Sequence, residues 1–278
     1  VTRRKQRGAR PGDREIVIKT ADEIARMRRA GQVVALTLER LAEATRPGVT
    51  TEELDRVAEA TIRSLGAAPS FYKLYGYPAN ICASVNDEVV HGIPGPRVLR
   101  EGDIISFDVG ATVDEMMADG AATCGVGEIS EPAAQLIRVT REALSEGVRQ
   151  ARPGNRIADI AKAIQRYVES HGYSVVRRLV GHGVGKAMHE APQIPNFVNA
   201  SAPGLEVLAP GMTLAIEPMV NQGGFDVVQD PDGWTFRTRD GTLSAHFEHT
   251  VAVTEHGHEI LTQRQAPRRA EAAGGPGG

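Results

Sequence analysis

Four carboxylates of this chain stand inside apolar, strand-like runs. They are Asp108 in IISFDVG, Asp119 in MMADGAA, Glu217 in TLAIEPMV and Glu248 in SAHFEHTVAVT. None has a Lys or Arg within two residues. A single such carboxylate commonly sits at a strand end facing solvent, but acidic side chains are seldom buried without a partner. Four in the same setting call for counter-charge. The segment GHGVGKAMHE, residues 181–190, adds His182 and His189 among three glycines. Each glycine would cost about 1 kcal/mol in a helix, and the odd spacing would put the two rings on opposite faces of a strand. Neither regular element explains the pair. Carboxylates and imidazole together describe a metal site. Four carboxylates bring about four negative charges, which one divalent ion leaves in excess and two balance, and paired metals are a hydrolytic arrangement. Oxygen-dominated donors with one nitrogen suit Mn²⁺, Fe²⁺ or Co²⁺ better than a thiolate zinc site, and Cys82 and Cys124 lack ligand spacing.

Asp108 and Asp119 flank TVDE, which reads as a turn. A hairpin centred midway between them would set the two side chains directly opposite each other, where like charges repel. Either one Asp is then protonated or a cation lies between them.

The elements that must carry these residues repeat. ATRPGVTTEELDRVAEATIRSLG (44–66) resembles QARPGNRIADIAKAIQRYVESHG (150–172) at an offset of 106 residues. Each copy reads as helix, Arg-Pro-Gly connector, second helix and glycine stop. The upstream helices are expected over 21–45 and about 131–150, since apolar residues such as Ile24, Met27, Val34, Leu38 and Leu41 recur near helical spacing. Strand-like sequence follows each pair. A duplicated helix–helix–sheet unit implies two halves with a cleft at a pseudo-twofold axis.

The composition is that of a globular protein, with 41% apolar and 24% charged residues. A net charge of −3 implies no bulk attraction to nucleic acid or anionic membrane. No apolar run is long enough to span a bilayer, and two cysteines make no disulfide framework. The expected organisation is a basic tail at 1–14, one catalytic domain at 15–263 with halves at 15–128 and 129–263, and a second tail at 264–278. A cytoplasmic monomer is expected.

The motifs NICASVNDEVVHGIPG, GDIISFDVG, ADGAAT, LVGHGVGKAMHEAPQIPNF, TLAIEPMVN and DGWTFRTRDGTLSAHFEHTVAVT resemble those of type I methionine aminopeptidases over residues 17–262. The resemblance implies the α+β pita-bread fold, two pseudo-symmetric halves around a dinuclear metal cleft. It implies removal of N-terminal Met before a small second residue, by metal-activated water attack on the first peptide bond. Asp108 would then hold the first metal, His182 and Glu217 the second, and Asp119 and Glu248 would bridge. The metals would be Fe²⁺, Mn²⁺ or Co²⁺, with Zn²⁺ as a further candidate. His91, His189 and Glu217 would be catalytic, with Glu217 the proton shuttle. His91, His189, Tyr77, Cys82, Trp234 and Met188 would face the substrate.

The chain departs from that pattern at Met188, where the family commonly has Phe, and at Phe71 and Leu74, which bears on substrate range. Only 27 residues separate His189 from Glu217, too few for the type II insertion. Partners would be nascent chains, with ribosome docking through the basic tail and no membrane. The competing expectations are an Xaa-Pro peptidase of the same fold, and a non-catalytic module binding ribosome or nucleic acid.

Overall fold

The computed structural model describes residues 15–198 and 206–264. The tails expected at 1–14 and 264–278 lie outside these residues except for Arg264, whose guanidinium approaches Glu39 at 3.2 Å. Among the described residues no helix is long and apolar enough to cross a membrane.

The repeat is present in three dimensions. Helices α1 (Ala21–Ala44) and α2 (Thr51–Ser64) form one pair, and α3 (Glu131–Arg149) and α4 (Ile157–Ser170) the other. The bounds of α2 and α4 differ by the same 106 residues as the sequence repeat. Gly48 and Gly154 of the two Arg-Pro-Gly connectors take φ of 92° and 86°, a conformation that favours glycine. Their N–H groups donate to equivalent carbonyls, Leu99 and Leu208, both at 2.9 Å. Thr20 and Thr50 cap α1 and α2 with reciprocal bonds to Glu23 and Glu53, each cap stabilising its helix by about 1 kcal/mol.

The first half contributes strands β1 (Ala68–Pro69), β2 (Cys82–Val85), β3 (Glu88–Val90), β4 (Ile104–Val113) and β5 (Met116–Gly125). Strand β4 pairs along one edge with β5 and along the other with β1 and β2. The second half begins with β6 (Ser174–Val175), β7 (Gly181–Gly183), β8 (Glu190–Ile194), β9 (Thr213–Ile216) and β10 (Met219–Asn221). It continues with β11 (Val227–Gln229), β12 (Phe236–Thr238), β13 (Ser244–His246), β14 (His249–Thr254) and β15 (Gly257–Ile260). These form a five-stranded sheet β15-β14-β9-β7-β8 and a three-stranded sheet β13-β10-β6. A third sheet, β11-β12-β3, joins the halves.

Each helix pair covers its own sheet. Leu41, Leu54 and Ile62 pack on Ile105 and Phe107 in the first half. Leu136, Ile160 and Ile164 pack on Leu214 and Val251 in the second. Between them a smaller cluster gathers Met27, Phe71, Tyr77, Cys82, Met188 and Ala252 beneath the cleft.

Candidate metal centre

The β4–β5 hairpin turns at Asp114 and Glu115, both with positive φ, one residue later than a turn centred midway between the two Asp residues. Asp108 therefore pairs with Ala121, and Asp119 with Gly110. The two carboxylates are diagonal neighbours on one face, and the expectation of a directly opposed pair is corrected. The shift changes each partner by two positions, and side chains alternate with period two, so both still face the cleft.

The directly opposed pair is Glu217 and Glu248. Strands β9 and β14 pair as Ile216 with His249, and β10 and β13 pair as Met219 with His246. The register is the same on both sides of the break, which sets Glu217–Pro218 against Phe247–Glu248. Two hydroxyls pin the second of these segments to β5. Thr123 Oγ1 donates to the His246 carbonyl and accepts from the His246 N–H. Thr250 Oγ1 donates to the Asp119 carbonyl at 2.7 Å and accepts from its N–H at 2.9 Å. Glu248 N–H donates to the Ala121 carbonyl, so Glu248 stands beside Asp119.

His182 lies in β7, between Ala215 of β9 and Gln193 of β8. A Cβ at Gly181 would sit 2.3 Å from the Ala215 oxygen, and one at Gly183 would sit 2.2 Å from the Ala191 oxygen. That close approach of strands is why His182 is flanked by glycine. The chain reverses before β8, which brings His189 back over His182 with ring centroids 4.4 Å apart. The reversal undoes the face alternation that seven residues of continuous strand would impose. Backbone hydrogen bonding from His182 Nδ1 to the Gly183 carbonyl, at 3.0 Å, leaves Nε2 as the free donor atom. Nε2 is 3.4 Å from Glu217 Oε1 and 3.9 Å from Asp119 Oδ2.

Ligand-type atoms of Asp119, His182 and Glu248 all lie within 4.8 Å of one another. Asp108 Oδ1 and Glu248 Oε1 are buried without a hydrogen-bond partner. Among the described residues no Lys or Arg lines the cavity over this cluster, and burial holds its imidazoles below the usual histidine range. Burial, with His189 alongside, holds His182 down at about 3. Burial likewise holds His91 at about 4 and His246 at about 3. Buried carboxylates with orphaned oxygens and no cationic side chain fit a divalent cation.

Burial pushes the Asp108 carboxyl up to about 7. Asp119, Glu217 and Glu248 are also pushed up, by burial first and then by one another and Asp108. A carboxyl raised in the fold stabilises it fully below the unfolded value near 4 and loses that contribution as pH climbs through the folded value. The buried histidines act oppositely, and only below about pH 6.5. In chelator-treated protein the melting temperature should therefore fall between pH 6.5 and 8.5, and saturating Mn²⁺ should reverse the fall. Calorimetry at each pH, with and without metal, checks this; a metal-free melting temperature that is flat or rising over that window would contradict it.

The cavity holds about 240 Å³, and its walls include Phe71, Leu74, Tyr77, Cys82 and Trp234 beside His91 and His189. Tyr77 donates its hydroxyl to the Ile81 and Gly92 carbonyls and meets Trp234 edge-on at 5.1 Å, so it offers the cavity only its ring. Cys82 faces Asp108 across β2 and β4. Met188 was expected in the wall but does not line the cavity. Its methyl packs beside Phe71 over Gly110, one layer behind, where the missing Cβ of Gly110 leaves room for it.

Two residues at the site escaped sequence reasoning. Tyr75, at φ 51°, stacks on His189 with centroids 5.6 Å apart. His246 is buried with Nε2 unpaired, 3.9 Å from Glu217 Oε2. The signal for His246 was the His-Phe-Glu spacing, two residues along a strand and hence one face.

Residues 25–255 match the profile of metallopeptidase family M24. The chain belongs to that family, its fold is the pita-bread arrangement, and divalent metal is part of its chemistry. It is 51% identical over 247 residues to a methionine aminopeptidase of Clostridium perfringens, covering 89% of this chain and 98% of that protein. It is also 51% identical over 249 residues to methionine aminopeptidase 1 of Bacillus subtilis, covering 89% and 99%. The crystal structure of a methionine aminopeptidase from Thermotoga maritima superposes with a TM-score of 0.87 at 46% identity, over 90% of this chain and all of that one. A prolidase of Pyrococcus furiosus shares the fold, with a TM-score of 0.71 at 23% identity, over 90% of this chain and 66% of its own.

Proposed function

We propose that residues 15–263 form one catalytic unit that removes N-terminal methionine from peptides and nascent chains in the cytoplasm when the second residue is small. The observation that carries this reading is an apolar-walled cavity that ends on the Asp108, Asp119, His182, Glu217 and Glu248 cluster. A thioether side chain suits walls of Phe71, Leu74, Tyr77 and Trp234, since sulfur packs well against aromatic rings.

The five cluster residues would hold two divalent ions, Asp119 and Glu248 between them, Asp108 on one, His182 and Glu217 on the other. Fe²⁺, Mn²⁺ and Co²⁺ suit this donor set, with Zn²⁺ as a further candidate. Such metal supplies polarisation of the scissile carbonyl and a nucleophilic water at neutral pH. Glu217, beside His182 on the cavity wall, takes up the proton released on attack at its carboxylate and returns it to the leaving amine. His189 and His91, both on the cavity wall and both held below the usual histidine range by burial, donate ring N–H groups toward the charge developing on the carbonyl oxygen. Tyr75, stacked on His189 at the mouth, narrows the room for the second side chain.

Methionine should be released from Met-Ala and Met-Pro peptides by enzyme loaded anaerobically with Fe²⁺, Mn²⁺ or Co²⁺. Efficient release from Met-Leu or Met-Lys peptides would sink the small-residue rule. The likeness to the prolidase extends to the fold alone, and Xaa-Pro cleavage without Met release in the same assay would favour that reading instead. The basic segment 1–14, with six Arg or Lys against one Asp, would assist docking to ribosomal RNA in a salt-dependent way. Its removal should leave tetrapeptide kcat unchanged and weaken ribosome co-sedimentation; unchanged co-sedimentation would remove that role.

A further inference from the structure

Arg177 and Arg178 play no part in the chemistry above, yet they sit at its door. The next two residues, Leu179 and Val180, line the cavity, while both arginines are exposed. Arg178 lies over the Phe236 ring, its Cζ 5.1 Å from the centroid. The same ring meets His91 edge-on at 6.0 Å, so Arg178 is one ring away from a cavity residue. Arg177 lies over Phe225 at 4.0 Å and is 5.9 Å from the Phe197 centroid. Stacking on a ring holds a guanidinium flat and leaves its edge N–H groups free for a carboxylate.

The neighbouring charges do not cancel the pair. Glu169 on α4 stands 3.9 Å from Arg177, with both half exposed. Asp226, next to Phe225, is within reach of Arg239 at 4.0 Å. Asp230, Asp87 and Glu88, near Phe236 in the sheet, are bound by Arg237. Among the described residues no carboxylate lies within 4.0 Å of Arg178.

A cavity of about 240 Å³ is smaller than the roughly 300–1,000 Å³ of a site that encloses a drug-sized ligand. It takes a terminal residue and leaves the rest of a peptide outside. Extended chain advances about 3.3–3.6 Å per residue, so a peptide leaving past Leu179 and Val180 would bring its third and fourth residues to the ring-backed arginines. We infer that Arg178, with Arg177 beside it, is a specificity-determining residue that favours substrates with acidic third and fourth residues. This rests on the proposed aminopeptidase reading and names the substrate class that the site prefers.

The test compares Met-Ala-Glu-Glu-amide, Met-Ala-Gln-Gln-amide and Met-Ala-Lys-Lys-amide on the metal-loaded enzyme. One exposed carboxylate–guanidinium contact is worth up to about five-fold in equilibrium. The Glu-Glu peptide should show kcat/KM about five-fold above Gln-Gln, with Lys-Lys lowest. The difference should lie in KM rather than kcat and shrink in 1 M salt. Arg178→Glu should invert the order, and Arg178→Gln should flatten it. Equal kcat/KM for the three peptides, or an unchanged order in Arg178→Glu, overturns the inference while leaving the aminopeptidase reading intact. No methionine released from any of the three overturns both.

Discussion

His189→Ala should keep its metal and lose about 10²–10³ in kcat, the scale for removing one donor to a developing oxyanion. His182→Ala should instead lose affinity for one metal and the activity that metal supports. The two rings are 4.4 Å apart, yet their surroundings assign them different work. His182 is clamped in β7 by its Nδ1 bond and aims Nε2 at Asp119 and Glu217. His189 follows the reversal, stacks on Tyr75 and faces the cavity. Loss of substrate binding in His189→Ala should be smaller than the loss in kcat, because the contact strengthens in the transition state. Metal titration by calorimetry beside steady-state kinetics separates the two. Equal loss of metal from both variants would show that His189 is a ligand too.

Lys19→Met should lower stability by about 3 kcal/mol, because breaking a buried pair strands the other charge. Lys19 Nζ lies 2.5 Å from Glu190 Oε2, with side-chain exposures of only 3% and 12%. Glu190 also accepts from the Ala187 N–H, so the pair ties the segment before α1 to the loop that presents His189. In a protein of this size about 3 kcal/mol corresponds to roughly 6–12 °C in melting temperature. The kcat should fall as well, since His189 is the residue before Glu190. Adding Glu190→Gln to Lys19→Met should recover part of the stability by removing the stranded charge. A melting temperature unchanged in Lys19→Met, or a double variant no better than the single, would show that the pair does not anchor the loop.

Much of this architecture is legible in the linear chain because it depends on local rules. The Arg-Pro-Gly connectors and the glycine stops mark helix boundaries through φ values that other residues seldom take, and both copies use them alike. The apolar runs around Asp108, Asp119, Glu217 and Glu248 mark carboxylates carried on buried strands. Their number, without Lys or Arg nearby, already calls for protonation or a cation on charge balance alone.

Tertiary structure decided what depends on pairing between distant segments. The hairpin turned at Asp114–Glu115, and Asp108 and Asp119 became diagonal neighbours. Glu217 and Glu248, 31 positions apart in the chain, became the opposed pair because two strand breaks share one register. Met188 went behind the cavity wall, and Tyr75 came onto His189 from a segment more than a hundred residues earlier. Periodicity reports which face of a strand a side chain takes. Which residue lies across from it is set by register and turn geometry, which depend on how strands distant in the chain pair.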